Sequence, residues 1–183
     1  QGTKIFAYEI VEQLDWRAPD TIVLPIGNGT LLLGAAIGFE ELYHQGMIKK
    51  IPKLIGIQAK NCAPISWMFK HKTKRIPKLT MKSTIAEGIA VSTPPRANQI
   101  ISSIKKTKGM VIEVSEREIK QAWEEMCSCG IYIEPTSATA VAGVKKYFAS
   151  SHKKELNGSN FSGTGLKLHK LFHYLSLVLS FHL

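Results

Sequence analysis

Six consecutive residues, Pro25-Ile-Gly-Asn-Gly-Thr30, have the types and spacing to grip an anion. Two glycines let a backbone turn tightly and approach a ligand with its N–H groups pointing outward. They lie between a short apolar run and the start of a helical pattern, where a helix dipole adds partial positive charge. That combination is a natural cradle for a phosphate. Thr30 offers a hydroxyl and Asn28 an amide to the same ligand. No Gly-Lys-Ser/Thr follows, so this is not a Walker loop. A strand-to-helix turn that needs glycine only for its shape is the competing reading.

Other residues invite weaker assignments. Ser162-Gly-Thr-Gly-Leu-Lys167 sets hydroxyls on a permissive backbone, and composition alone reads it as a flexible linker. Glu134-Pro-Thr-Ser137 places an acid before a helix start, which simple capping explains. Cys127 and Cys129 are spaced C-x-C with only Cys62 elsewhere, so no zinc set is evident. Three of the six histidines (His169, His173, His182) fall in the final stretch, and metal binding is not expected. Lys70, Lys72, Lys74, Arg75 and Lys78 crowd one segment beside Trp67 and Phe69, a pattern able to hold phosphates and stack bases. A solvated loop is the favoured reading of that run, and nucleic acid is not the expected partner.

The 183 residues suffice for one ordinary domain with a sizeable core. Apolar residues at 44% against 21% charged exclude a disordered chain, despite the net charge of +10. An odd number of cysteines and no leader pattern predict a reducing, cytoplasmic setting without a disulfide scaffold. No apolar run reaches the ~18 residues that a membrane span needs, so no membrane partner is expected.

Positioning these residues falls to alternating elements. Helical spacing predicts helices over Thr3–Leu14, Leu31–Gln45, Ala63–Lys70, Asn98–Lys106 and Thr136–Phe148. A further helix opens at a Ser115/Glu118 capping box and runs to about Cys127. Apolar, β-branched runs predict buried strands at Thr21–Pro25, Lys53–Gln58 and Met110–Val114, with a brief strand at Ile131–Ile133. Ser150 to Gly165 reads as loop. The fold class is α/β: a parallel sheet with helices on both faces.

In their order, the motifs resemble the C-terminal half of threonine synthase, a fold-type-II enzyme that uses pyridoxal 5'-phosphate. The resemblance begins at Gln1-Gly-Thr-Lys-Ile-Phe-Ala-Tyr-Glu-Ile10 and passes through Pro25-Ile-Gly-Asn-Gly29 and Ile57-Gln-Ala-Lys-Asn-Cys-Ala-Pro64. It continues through Thr84-Ile-Ala-Glu-Gly-Ile89 and Glu134-Pro-Thr-Ser-Ala138 to Ser162-Gly-Thr-Gly-Leu-Lys167. It implies a partial tryptophan synthase beta-like architecture over 1–167, with residues 168–183 an atypical tail. By position, it implies that Gly27, Asn28, Gly29, Thr30 and Leu31 bind the cofactor phosphate and that Ser162 faces the pyridine nitrogen. Ala86 to Ile89 and Glu134 are then expected near the ring. The implied substrate is O-phospho-L-homoserine, converted with water to L-threonine and phosphate.

The family's cofactor-bearing lysine and ring-binding asparagine lie in an N-terminal half that has no match from Gln1 onward. The chain taken alone is therefore expected to be inactive, its missing partner being that half. An open sheet edge left by this arrangement is expected to pair with another copy, as in a homodimer, or to aggregate. Asn157-Gly-Ser-Asn-Phe161 is more polar and shorter than the strand the family places before the last glycine cluster. An interrupted reading frame would account for both that stretch and the tail. The same architecture serves threonine dehydratase, cysteine synthase and cysteate synthase, and a basic polyanion-binding module is the non-enzymatic alternative.

Overall fold

In a computed structural model that describes residues 2–76, 81–150 and 157–159, the apolar runs flanking the glycine pair become the central strands. Thr21–Pro25 (β1) is buried along its whole length, and Lys53–Ala59 (β2) along all but its first residue. Burial on both faces is what a parallel interior strand requires. Alternation divides the side chains. Ile22, Leu24 and Leu54 enter one core, while Val23, Ile55, Ile57 and Ala59 enter the other.

The sheet has four strands among the described residues, in the order β3-β2-β1-β4, where β3 is Met110–Val114 and β4 is Asn157–Ser159. Every pairing is parallel, with Thr21 opposite Lys53 and Asn157, and Ile55 opposite Met110. On one face lie α1 (Ile5–Gln13), α2 (Thr30–His44), α3 (Pro64–His71) and α4 (Ala97–Lys106). On the other lie α5 (Glu116–Ser128) and α6 (Pro135–Ser150), packed through Ile119, Ala122, Ala138 and Val141. This is the expected α/β architecture with helices on both faces. Among the described residues, no helix is long and apolar enough to cross a membrane.

Two sequence expectations fail. Ile131–Ile133 forms no strand; Ile133 is instead buried against α5 and α6, and its carbonyl accepts from Trp123 Nε1 at 2.8 Å. A side-chain donor has replaced the strand neighbour. Conversely, Asn157–Ser159, expected as loop, pairs with β1 over three residues. Backbone groups make that ladder, so a polar sequence at an edge is no bar to it.

The capping box that opens α5 is formed. Glu118 N–H donates to Ser115 Oγ at 3.3 Å, and Ser115 N–H to Glu118 Oε2 at 2.6 Å. Burial works to raise the Glu118 carboxyl, but the hydrogen bonds from Ser115 and the Lys146 ammonium outweigh it and hold the group below its ordinary value. A depressed carboxylate stabilises the fold above its unfolded pKa and loses that contribution as pH falls through the folded value. Ser115→Ala is therefore expected to cost about 1 kcal/mol near neutral pH. The gap from the parent should narrow once pH falls below about 4. Urea midpoints at neutral and acid pH check this; a gap that widens in acid would contradict it.

Candidate functional site

The ladder between β1 and β2 runs one residue past Pro25, since Ile26 N–H donates to Ile57 O at 2.8 Å. The chain then leaves the sheet at Gly27, which is buried. A Cβ placed there would stand 3.1 Å from both Gly88 O and Ile89 Cα, so a second backbone segment lies directly against the loop. Asn28 is exposed. Gly29 adopts φ +73° and serves as the N-cap of α2, with no side chain capping the helix. Its missing Cβ leaves room for Ile100, whose Cδ1 would lie 2.2 Å away.

The helical ladder of α2 begins when Leu33 N–H donates to Gly29 O at 2.9 Å. The N–H groups of the first turn, Thr30 to Leu32, have no intrahelical acceptor. No acid occupies that turn. Gly27 and Gly29 are buried, while Asn28 between them and Thr30 after them are exposed, so an uncapped positive helix end lies beside an exposed amide and hydroxyl. The unpaired N–H donors at this helix start suit a phosphate monoester, and glycine at position 27 lets the loop lie against the Gly88–Ile89 backbone, where a Cβ would crowd Gly88 O and Ile89 Cα.

A buried amide fixes this loop to its neighbours. Gln58, fully buried near the end of β2, donates from Nε2 to Ile26 O at 3.2 Å. Its Oε1 accepts from Ser66 N–H in α3 at 3.0 Å. Ser66 Oγ in turn donates to Glu113 at 2.6 Å, as does Lys70 Nζ. Burial pushes the Glu113 carboxyl up, yet Lys70 and Ser66 prevail and hold it below its ordinary value. Sequence reading passes over Gln58 as the end of a strand. A lone amide inside Ile55-Gly-Ile-Gln-Ala59 is the available signal, because such a group must find partners when buried.

The structure brings three sequence-predicted segments together at the C-terminal end of β1. Gly27 touches the 3₁₀ turn Glu87–Ile89, and a Cβ on Gly88 would sit 2.8 Å from Thr136 Oγ1 at the start of α6. Glu134, just before α6, is exposed and its carbonyl accepts from Ala138 N–H. Thr30 Oγ1 accepts from Arg96 Nη2 at 2.8 Å, a contact that the sequence does not announce. Ser162 and the rest of its glycine cluster lie outside the described residues, as does Lys78. In the basic segment Lys70 is paired with Glu113, while Lys72, Lys74 and Arg75 follow in sequence a stacked Trp67–His71 pair.

The sequence pattern of the family described as "Pyridoxal-phosphate dependent enzyme" matches residues 1–161. Threonine synthase of Methanocaldococcus jannaschii is 35% identical over 147 residues, which cover 80% of this chain and 36% of that protein. The chain thus spans about a third of the length of the curated relatives it matches. Among solved structures, serine racemase from Dictyostelium discoideum superposes with a TM-score of 0.68 at 26% identity, covering 91% of this chain and 50% of that one. The processed form of threonine deaminase isoform 2 from Solanum lycopersicum superposes at 0.69 with 23% identity, covering 96% and 48%, and shows the same fold.

Proposed function

This chain belongs to the pyridoxal-phosphate-dependent enzymes, and from that premise we propose that it is part of a threonine synthase. The reaction would convert O-phospho-L-homoserine and water to L-threonine and phosphate. The observation that carries the reading is the 35% identity to curated threonine synthases, beside a Pro25-Ile-Gly-Asn-Gly29 turn that links β1 to the uncapped start of α2.

Backbone N–H groups of Gly27, Asn28, Gly29, Thr30 and Leu31 would hold the cofactor phosphate, with the Gly88–Ile89 backbone walling one side. When bound, the cofactor supplies an electron sink for proton removal from the substrate. Gln58 keeps the loop in register by gripping Ile26 O from beneath. In this reading Ser162 faces the pyridine nitrogen, where a neutral hydroxyl would leave the ring less protonated than an aspartate would. The covalent lysine would come from a segment N-terminal to the motifs present here, so the chain by itself would not turn over.

A second reading, threonine dehydratase, rests on the fold shared with threonine deaminases. One assay separates the two. The chain is joined to an N-terminal half bearing the lysine and supplied with pyridoxal phosphate. Phosphate release from O-phospho-L-homoserine, absent without that half, is expected. Ammonia release from L-threonine with no phosphate release from the phosphorylated substrate would select the dehydratase and overturn the proposal.

A further inference from the structure

Arg96 is an electrostatic anomaly. Its guanidinium Nη2 reaches Thr30 Oγ1 at 2.8 Å, which sets a cation at the positive end of the α2 dipole. Arg96 is itself the N-cap residue of α4, so a second positive helix end meets the first at the same place. Neither helix carries an acid in its first turn or a side-chain cap, and no carboxylate among the described residues pairs with Arg96. The two helices are held close because Ile100, in the first turns of α4, packs into the space left open at Gly29. Three sources of positive potential therefore converge on one exposed spot. Such an arrangement raises the local positive potential and favours an anion at its centre.

Resting on the reading of the loop given above, we propose that Arg96 completes the cradle as a direct ligand of a phosphate monoester dianion. One N–H of the guanidinium holds Thr30, orienting its hydroxyl toward the site, and the remaining donors of the fork stay free for phosphate oxygens. The Pro94-Pro95 pair immediately before it stiffens the approach, and Ile100 N–H donating to Arg96 O at 3.0 Å anchors the residue to α4. Arg96 thus differs from the backbone donors of the loop in carrying a full charge and in being removable by substitution.

The phosphate could belong to the cofactor or to the substrate, and binding to the full chain distinguishes them. Titration calorimetry with pyridoxal phosphate and pyridoxal forms one arm; O-phospho-L-homoserine and L-homoserine form the other. Arg96→Gln is expected to weaken one phosphorylated ligand about tenfold or more while leaving its dephosphorylated counterpart unchanged. Arg96→Lys should recover part of the loss, since a point charge replaces the fork. Loss confined to the pyridoxal phosphate arm assigns Arg96 to the cofactor; loss confined to the other arm assigns it to the substrate. Equal affinity of parent and Arg96→Gln for both phosphorylated ligands overturns the inference and leaves the cradle standing. If the parent binds no phosphorylated ligand more tightly than its dephosphorylated counterpart, the cradle reading falls and Arg96 with it.

Discussion

Gly29→Ala is expected to lower stability by about 3 kcal/mol. Two costs combine. An L-residue at φ +73° sits in left-handed backbone, worth roughly 1–2 kcal/mol against glycine. The new methyl would also stand 2.2 Å from Ile100 Cδ1 and 2.5 Å from its Cγ1, and overpacking of this kind costs about 1–3 kcal/mol. Ile100 is fully buried and has little space to retreat. A double substitution separates the parts: Ile100→Ala should relieve the clash in the Gly29→Ala background but not the backbone strain. Denaturant midpoints of the four proteins measure both. A Gly29→Ala midpoint equal to that of the parent would show that the loop tolerates another backbone conformation.

Gln58→Leu should be at least comparably damaging, for the opposite reason. Leucine fits the volume, but Ile26 O and Ser66 N–H both lose their partner in a buried setting. Each unsatisfied group costs about 1–3 kcal/mol, giving roughly 2–6 kcal/mol in all. The loss should be local as well as global. Amide hydrogen exchange at Ser66 is expected to quicken relative to the strand interiors, because its acceptor is gone. A leucine variant as stable as the parent, with Ser66 still protected, would show that another acceptor replaces the amide.

Much of this architecture is legible in the residues, for identifiable reasons. Thr21–Pro25 and Met110–Val114 match the sequence expectation, because a run of β-branched and apolar residues between turn formers has few other ways to hide itself. The Ser115 cap is legible because its signature is local, two side chains three residues apart. The turn from β1 into α2 is legible as a pair of glycines with a helix after them, although which glycine needs positive φ is not. What escapes depends on partners remote in sequence. Ile131–Ile133 has strand composition, yet the indole of Trp123 takes its carbonyl. Asn157–Ser159 has loop composition, yet β1 offers it a ladder. Arg96 and Gln58 look like an ordinary loop cation and a strand-end amide until folding sets them beside Thr30 and Ile26.

The position of β4 has a consequence for how the chain is made. β1 receives its inner neighbour early, when Lys53–Ala59 follows, but its outer neighbour is Asn157–Ser159. A ribosome adding about 5–20 residues per second leaves the outer edge of β1 without its native cover for on the order of ten seconds. During that interval the most buried strand of the final sheet is a template for any extended segment nearby. Nascent chains emerging close together on one message would present the same edge to each other. The yield of folded protein should therefore depend on the spacing of ribosomes and on chaperone supply, more than on the equilibrium stability of the finished domain.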